Sequence, residues 1–279
     1  MPIHDQSYRR YGGERRPQDR AWTVIAASGI RTMLAKRKFL GLLLVAWLPF
    51  VVRAVQMYIA ANFPQASMLA PTSETFRQFL EQQGLFTFFI TIFTGAGLIA
   101  NDLRANALQI YLSKPLGRFE YIAGKFAVLA LFLLLVTWVP ATMLLVIQIV
   151  FAGNLAFLTA NLFLLPAILV ATGIETIVLC MVMLALSSLS KSSRFVGIMF
   201  AGVVLFTDAL FGVVFLVTRN TTFSWISLPG NFRNLGDLVF RVEPRYDTPA
   251  WVTAIALAVI VAGSAWVLER RVRGVEVVT

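Results

Sequence analysis

Leu162-FLLPAILVATGIETIVLCMVMLAL-Ser187 decides the class of this chain. A single carboxyl group, Glu175, interrupts an apolar run long enough to cross hydrocarbon, for which roughly 17–25 residues are needed. Five further stretches read the same way: Phe39–Ala61, Leu85–Ala100 with its flanks, Lys125–Ala152, Phe195–Val217 and Pro249–Leu268. The composition agrees, since 58% of the 279 residues are hydrophobic and only 14% charged, whereas soluble domains carry about 25% charged residues. The expected fold class is therefore all-α integral membrane, with six transmembrane helices and both termini cytoplasmic.

Charge fixes the orientation. With the amino terminus inside, the segments 1–38, 101–125, 188–194 and 269–279 all face the cytoplasm and hold eighteen of the 24 Lys/Arg. The outside loops hold Arg77, Arg219, Arg233, Arg241 and Arg245, and Arg53 falls within the first span. Basic residues concentrate on cytoplasmic loops, so the flipped topology is disfavoured. The net charge of +10 is read as this orientation signal and as contact with anionic lipid, not as a nucleic-acid surface. No apolar core follows the first basic residues closely enough for a cleavable signal peptide. One cysteine, Cys180, and one histidine, His4, leave no disulfide and no metal centre to build.

Three segments outside the spans carry helical periodicity. Ala21–Lys38 gathers Trp22, Ile25, Ile30, Met33 and Leu34 on one side, as an amphipathic interfacial helix does. Pro71–Gln83 places Phe76, Phe79 and Leu80 together, with Thr72 or Ser73 to cap it and Gly84 to stop it. Between spans five and six, Pro229-Gly230 predicts a turn and Asn231–Phe240 a short extracellular or re-entrant helix. The domain organisation is thus a basic amino terminus over 1–38, a six-span domain over 39–268 with an outside helical loop at about 218–248, and a basic tail over 269–279. The serines and Lys191 of Ser187–Ser193 read as a tight inside turn.

The inside loop after span two, Asn101-DLRANALQIYLSKPLGRFEYIAG-Lys125, is the most informative. Asn101 or Asp102 can cap a helix, nothing breaks 103–113, and Pro115 ends it. Gly117 lets the chain turn, and Arg118–Lys125 leads into span three. The expected product is a stiff helix–turn–helix elbow joined to two spans.

Here the sequence resembles the permease subunits of ABC-2 type ABC transporters, whose first cytoplasmic loop runs acidic-Arg, a helix ending near Leu-Ser-x-Pro, then Arg-x-x-Tyr-x-x-Gly-Lys. The matching residues are Asp102, Arg104, Leu112, Ser113, Pro115, Arg118, Tyr121, Gly124 and Lys125. Many members carry a glutamate and then Gly-Thr-Leu early in the loop, where this chain has Asp102 and Asn106-Ala-Leu108. The resemblance implies that about Asp102–Ser113 is a coupling helix docking on a cytosolic ATPase subunit, with Leu108 on it and Arg118 and Lys125 fixing the elbow against lipid phosphates or the partner. It also implies an exporter built from two permease chains, identical or related, and two ATPase subunits that bind ATP and magnesium. The chain itself has no P-loop: Gly124-Lys125 is followed by Phe126, and the preceding glycine, Gly117, is seven residues away. It is therefore not read as an enzyme, and binds no cofactor of its own.

Arg53, Glu175 and Asp208 are ionisable groups in or near the spans, where such groups face a partner or a wet cavity. Counting along the helices puts all three at similar depth, so an Arg53–Asp208 or Arg53–Glu175 pair is within reach, as is a role on a substrate path. Pro140 and Pro166 can kink spans three and four. Two other classes fit the composition: an ion-coupled secondary carrier using Glu175 or Asp208, and a non-transport membrane scaffold or enzyme.

Overall fold

The computed structural model describes residues 21–63, 65, 68, 70–107, 117–153 and 156–272. Among these residues every regular element is helical. Six segments are long and apolar enough to cross a membrane: Arg37–Asn62, Ser73–Arg104, Arg118–Ala152, Leu164–Leu189, Ser193–Thr218 and Ala250–Arg271. The helices are α1 (Ala21–Leu34), α2 (Arg37–Ala46), α3 (Leu48–Asn62), α4 (Ser73–Ile90), α5 (Ala100–Arg104) and α6 (Arg118–Val136). They continue as α7 (Trp138–Ala152), α8 (Ala156–Ala160), α9 (Leu164–Leu189), α10 (Ser193–Thr218), α11 (Leu228–Val239) and α12 (Ala250–Arg271).

Span four, α9, is the axis of the bundle. It packs against α6, α7, α10, α11 and α12, and 61% of its apolar stretch is buried, against 11% in spans one and five. The outer faces of those two spans are consequently free for lipid or for another chain. One core gathers Phe39, Leu129, Phe132, Val178, Met183 and Phe200. A second, toward the opposite end, gathers Met57, Phe76, Phe79, Leu144, Ile168 and Phe240.

Three spans are broken, and each break has a chemical cause. Pro49 lacks an N–H and splits span one at Trp47. The side-chain amide of Gln83 in span two donates to the Ala46 carbonyl there, at 3.1 Å. Span three splits at Thr137, just before Pro140, as expected for a proline-induced kink. Pro166 instead sits in the first turn of α9, where a proline is tolerated, and leaves span four unbroken.

Span two differs most from expectation. The outside segment is no separate helix, because α4 starts after Thr72 and runs straight through Gly84 to Ile90. Mid-helix glycine costs only about 1 kcal/mol, less than the packing of Phe76 and Phe79, both fully buried. The chain then widens into a π-type turn over Thr91–Gly95 before α5. Gly95 is pressed on span four, since a Cβ there would collide with Met183 Cγ. Pro229 and Gly230 also belong to a helix rather than a turn. Ser227 caps α11, accepting from the Gly230 N–H at 2.8 Å, and Pro229 occupies the first turn.

Helix α1 packs along the start of α6 through two glycines. A Cβ on Gly29 would meet Val128 Cγ2 at 2.6 Å, and one on Gly124 would meet the Trp22 carbonyl at 2.9 Å. Ala26 and Met33 are buried in this contact, with Ile25 and Ile30 packed beside them, while Trp22 and Leu34 of the expected apolar face stay exposed. Gly124→Val is expected to push α1 off α6 and to cost about 1–3 kcal/mol. A cysteine pair across α1 and α6 that crosslinks in the parent and not in the variant would register the displacement.

Candidate functional site

The end of the bundle that carries α1, α5 and the start of α6 holds the elbow. Span two reaches it through a ladder that a side chain from another span has opened. Ser187 of α9 accepts from the Ile99 N–H at 3.1 Å and the Ala100 N–H at 3.0 Å, and donates to the Ala96 carbonyl at 3.0 Å. It satisfies the groups a helix leaves open where its ladder is interrupted. Ser187 therefore acts inside span four, and the tight turn expected there is confined to Ser190–Ser192, with Ser192 at the cap of α10.

Beyond this joint, three of the residues singled out in the sequence come together. The Asp102 carboxylate accepts from the Tyr121 hydroxyl at 2.7 Å and from the Lys125 ammonium at 2.7 Å. That ammonium also lies 5.4 Å from the centre of the Tyr121 ring. An acid on α5 thus clamps the first two turns of α6, so spans two and three are tied by a mostly buried ion pair. Neither Asn101 nor Asp102 is the cap, since both lie within α5. The expected helix over 103–113 is interrupted: α5 ends at Arg104, Asn106 takes a left-handed φ of 52°, which asparagine tolerates better than most residues, and Ala107 is helical again. Leu108, Leu112, Ser113 and Pro115 lie outside the described residues. Arg104 and Arg118 are exposed. Beside Arg118, Phe119 is 83% exposed, an apolar side chain at the elbow that hydropathy alone does not distinguish from the span that follows.

At the opposite end an ionic cluster joins span two to the segment between spans five and six. Arg77, 8% exposed, pairs with Glu74, with Glu81 at 3.1 Å and with Asp237 at 3.1 Å. Arg245 bonds Asp237 at 3.0 Å and Glu81 at 2.9 Å, and its own backbone N–H reaches Asp237 at 3.1 Å. Arg233 bridges Glu81 and Asp208, each at 3.5 Å. Burial works against the charge on Arg245, but the hydrogen-bonded Asp237 and Glu81 carboxylates outweigh it and raise its pKa above the ordinary arginine value. Glu74, Arg77 and Glu81 stand at helical i, i+3 and i+7 spacing, a pattern visible in the sequence. Asp237, 156 residues beyond Glu81 (237 − 81) and in another helix, gives no such signal.

Between the two ends lies a cavity of about 560 Å³ bounded by spans two, four and five and by α11. Glu175 and Asp208 both line it; Arg53 does not. Asp208 is held by the Ser227 hydroxyl at 2.7 Å and by Arg233. Arg53 donates to Gln56 and Gln78, each at 3.2 Å, rather than meeting either acid. Glu175 receives a hydrogen bond from Thr87 at 3.0 Å, and none reaches its other oxygen from the described residues.

Among curated proteins none matches the chain. A family model described as ABC-2 family transporter protein matches residues 23–268, from just inside α1 to near the end of α12 and across all six spans. The chain belongs to the ABC-2 family of transporter proteins, as a multi-pass membrane component of a transport system.

Proposed function

We propose that this permease transmits ATP-driven motion from a separate cytosolic ATPase, through the elbow at Asp102, to a pathway that exports its substrate. The observation that carries this is the clamp of Asp102 on Tyr121 and Lys125. A push on α5 or on the exposed Arg104 and Arg118 would be delivered to spans two and three together. The excess of Lys/Arg in the segments at this end supports its lying in the cytoplasm, with both termini, in a bacterial-type inner membrane. Two ATPase subunits, carrying the ATP and magnesium, would dock beneath two permease chains. The thinly covered spans one and five leave apolar faces for the second permease, a copy or a relative, and for lipid.

An ion-driven carrier would need a free acid on the path, and of its two candidates Asp208 is already engaged by Arg233 and Ser227. Purification of the tagged chain under conditions that keep complexes intact decides between the two. Co-purification of a P-loop ATPase, with ATP-dependent transport in proteoliposomes, is the expected result. Transport driven by an ion gradient in the absence of any ATPase would overturn the proposal.

A further inference from the structure

We infer that the cavity beside Glu175 is a binding site for amphipathic monocations, molecules with an apolar body and one ammonium- or phosphonium-type charge. This rests on the reading of the chain as a transport permease and names the substrate class for it. The volume of about 560 Å³ falls within the roughly 300–1,000 Å³ of small-molecule sites. Phe88, Phe200, Phe232, Leu179 and Val204 line it, and aromatic faces attract cations in addition to covering apolar groups.

The charges decide the sign of the ligand. Arg77, Arg233 and Arg245, which line the cavity, are each bonded to at least two carboxylates. An anion would have to break those pairs to gain a partner. Asp208 is likewise engaged. Glu175 has only the Thr87 hydroxyl and no cation among the described residues. An acid within a span is costly unless something answers its charge, and here the open space is where that partner would enter. Leu85, Phe89 and Leu205 line the same cavity yet are exposed on the flank of the bundle. A ligand with an apolar body can therefore arrive from the hydrocarbon side.

The test uses the full chain in lipid nanodiscs, with tetraphenylphosphonium and tetraphenylborate as probes of one shape and opposite charge, and with empty nanodiscs subtracted. Saturable binding of the cation is expected, at least about tenfold tighter than that of the anion. Glu175→Gln should weaken the cation by about tenfold or more and leave the anion unchanged. Gly84→Leu should block both probes without unfolding the helix. Gly84 lines the cavity, a Cβ there meets nothing within 4 Å, and leucine favours the helix.

Equal affinity of the unsubstituted protein for the two probes would overturn the inference, as would cation binding that survives Glu175→Gln or Gly84→Leu. Should Glu175→Gln fail to fold, the comparison of probes on the parent chain and on Gly84→Leu still decides. The ATPase is scored separately on complex-preserving preparations. Its absence there would sink the permease reading and leave the binding result intact, whereas its presence without cation selectivity would sink the site alone.

Discussion

Replacing Arg77 by alanine is expected to destabilise the solubilised protein by about 3–5 kcal/mol, the cost of removing one partner from a buried ion pair. Arg77 answers Glu74, Glu81 and Asp237 at once, and Asp237 is only 1% exposed. Without the guanidinium these three carboxyl groups would share Arg245 and Arg233, and the buried Asp237 would keep only Arg245 as a cation. Arg77→Lys should recover part of the loss and no more, because an ammonium cannot reproduce the planar fork that reaches three acids. The comparison variant is Arg194→Ala, which removes an exposed arginine from α10 and should change stability by no more than about 0.5 kcal/mol. Denaturant titration followed by intrinsic tryptophan fluorescence measures all three. Equal stability of Arg77→Ala and Arg194→Ala would show that the ionic cluster does not hold the segment between spans five and six on span two.

The second large effect belongs to Ser187→Ala. That change removes one hydroxyl and strands two buried backbone N–H groups, those of Ile99 and Ala100, along with the Ala96 carbonyl. Each buried group left without a partner costs about 1–3 kcal/mol, less whatever local relaxation recovers. The functional consequence should exceed the loss of stability. Ser187 is the joint at which span four holds the foot of span two, directly before the Asp102 clamp. With that joint loosened, α5 can move without moving the bundle. ATP hydrolysis by the assembled complex should continue while transport per ATP falls. A variant that loses hydrolysis and transport in proportion would point to failed assembly instead, and one that retains full transport would remove Ser187 from the coupling path.

The membrane class and the six spans were legible from the chain alone; Asp102, Tyr121 and Lys125 were singled out there, but the bonds that join them were not. Spans announce themselves because hydrocarbon demands an unbroken apolar run from each helix, with no help from neighbours. The three residues stand out because they lie in one loop at spacings that resemble a known family; that Asp102 meets Tyr121 and Lys125 depends on how α5 packs on α6. Local reading failed where a distant residue decided the outcome. Gly84 looks like a helix stop, but the buried Phe76 and Phe79 carry α4 through it. Asp102 looks like a cap, but the cap is supplied by Ser187, 87 and 88 residues away in sequence from the amides it holds. Arg53, Glu175 and Asp208 share a depth on paper, yet rotation about each helix axis sends Arg53 to Gln78 and only the two acids to the cavity. Depth is additive along a helix and can be counted; facing is set by packing and cannot.

The central claim is that the elbow end, and not the ionic-cluster end, meets the ATPase. It is tested most directly by placing a photo-crosslinking amino acid at exposed Ala105, beside α5, and in a second protein at exposed Glu243, in the loop beyond α11. In intact complexes, illumination at position 105 should join the chain to a P-loop ATPase and illumination at 243 should not. An ATPase crosslink from 243, or none from 105 in a complex that still transports, would contradict it.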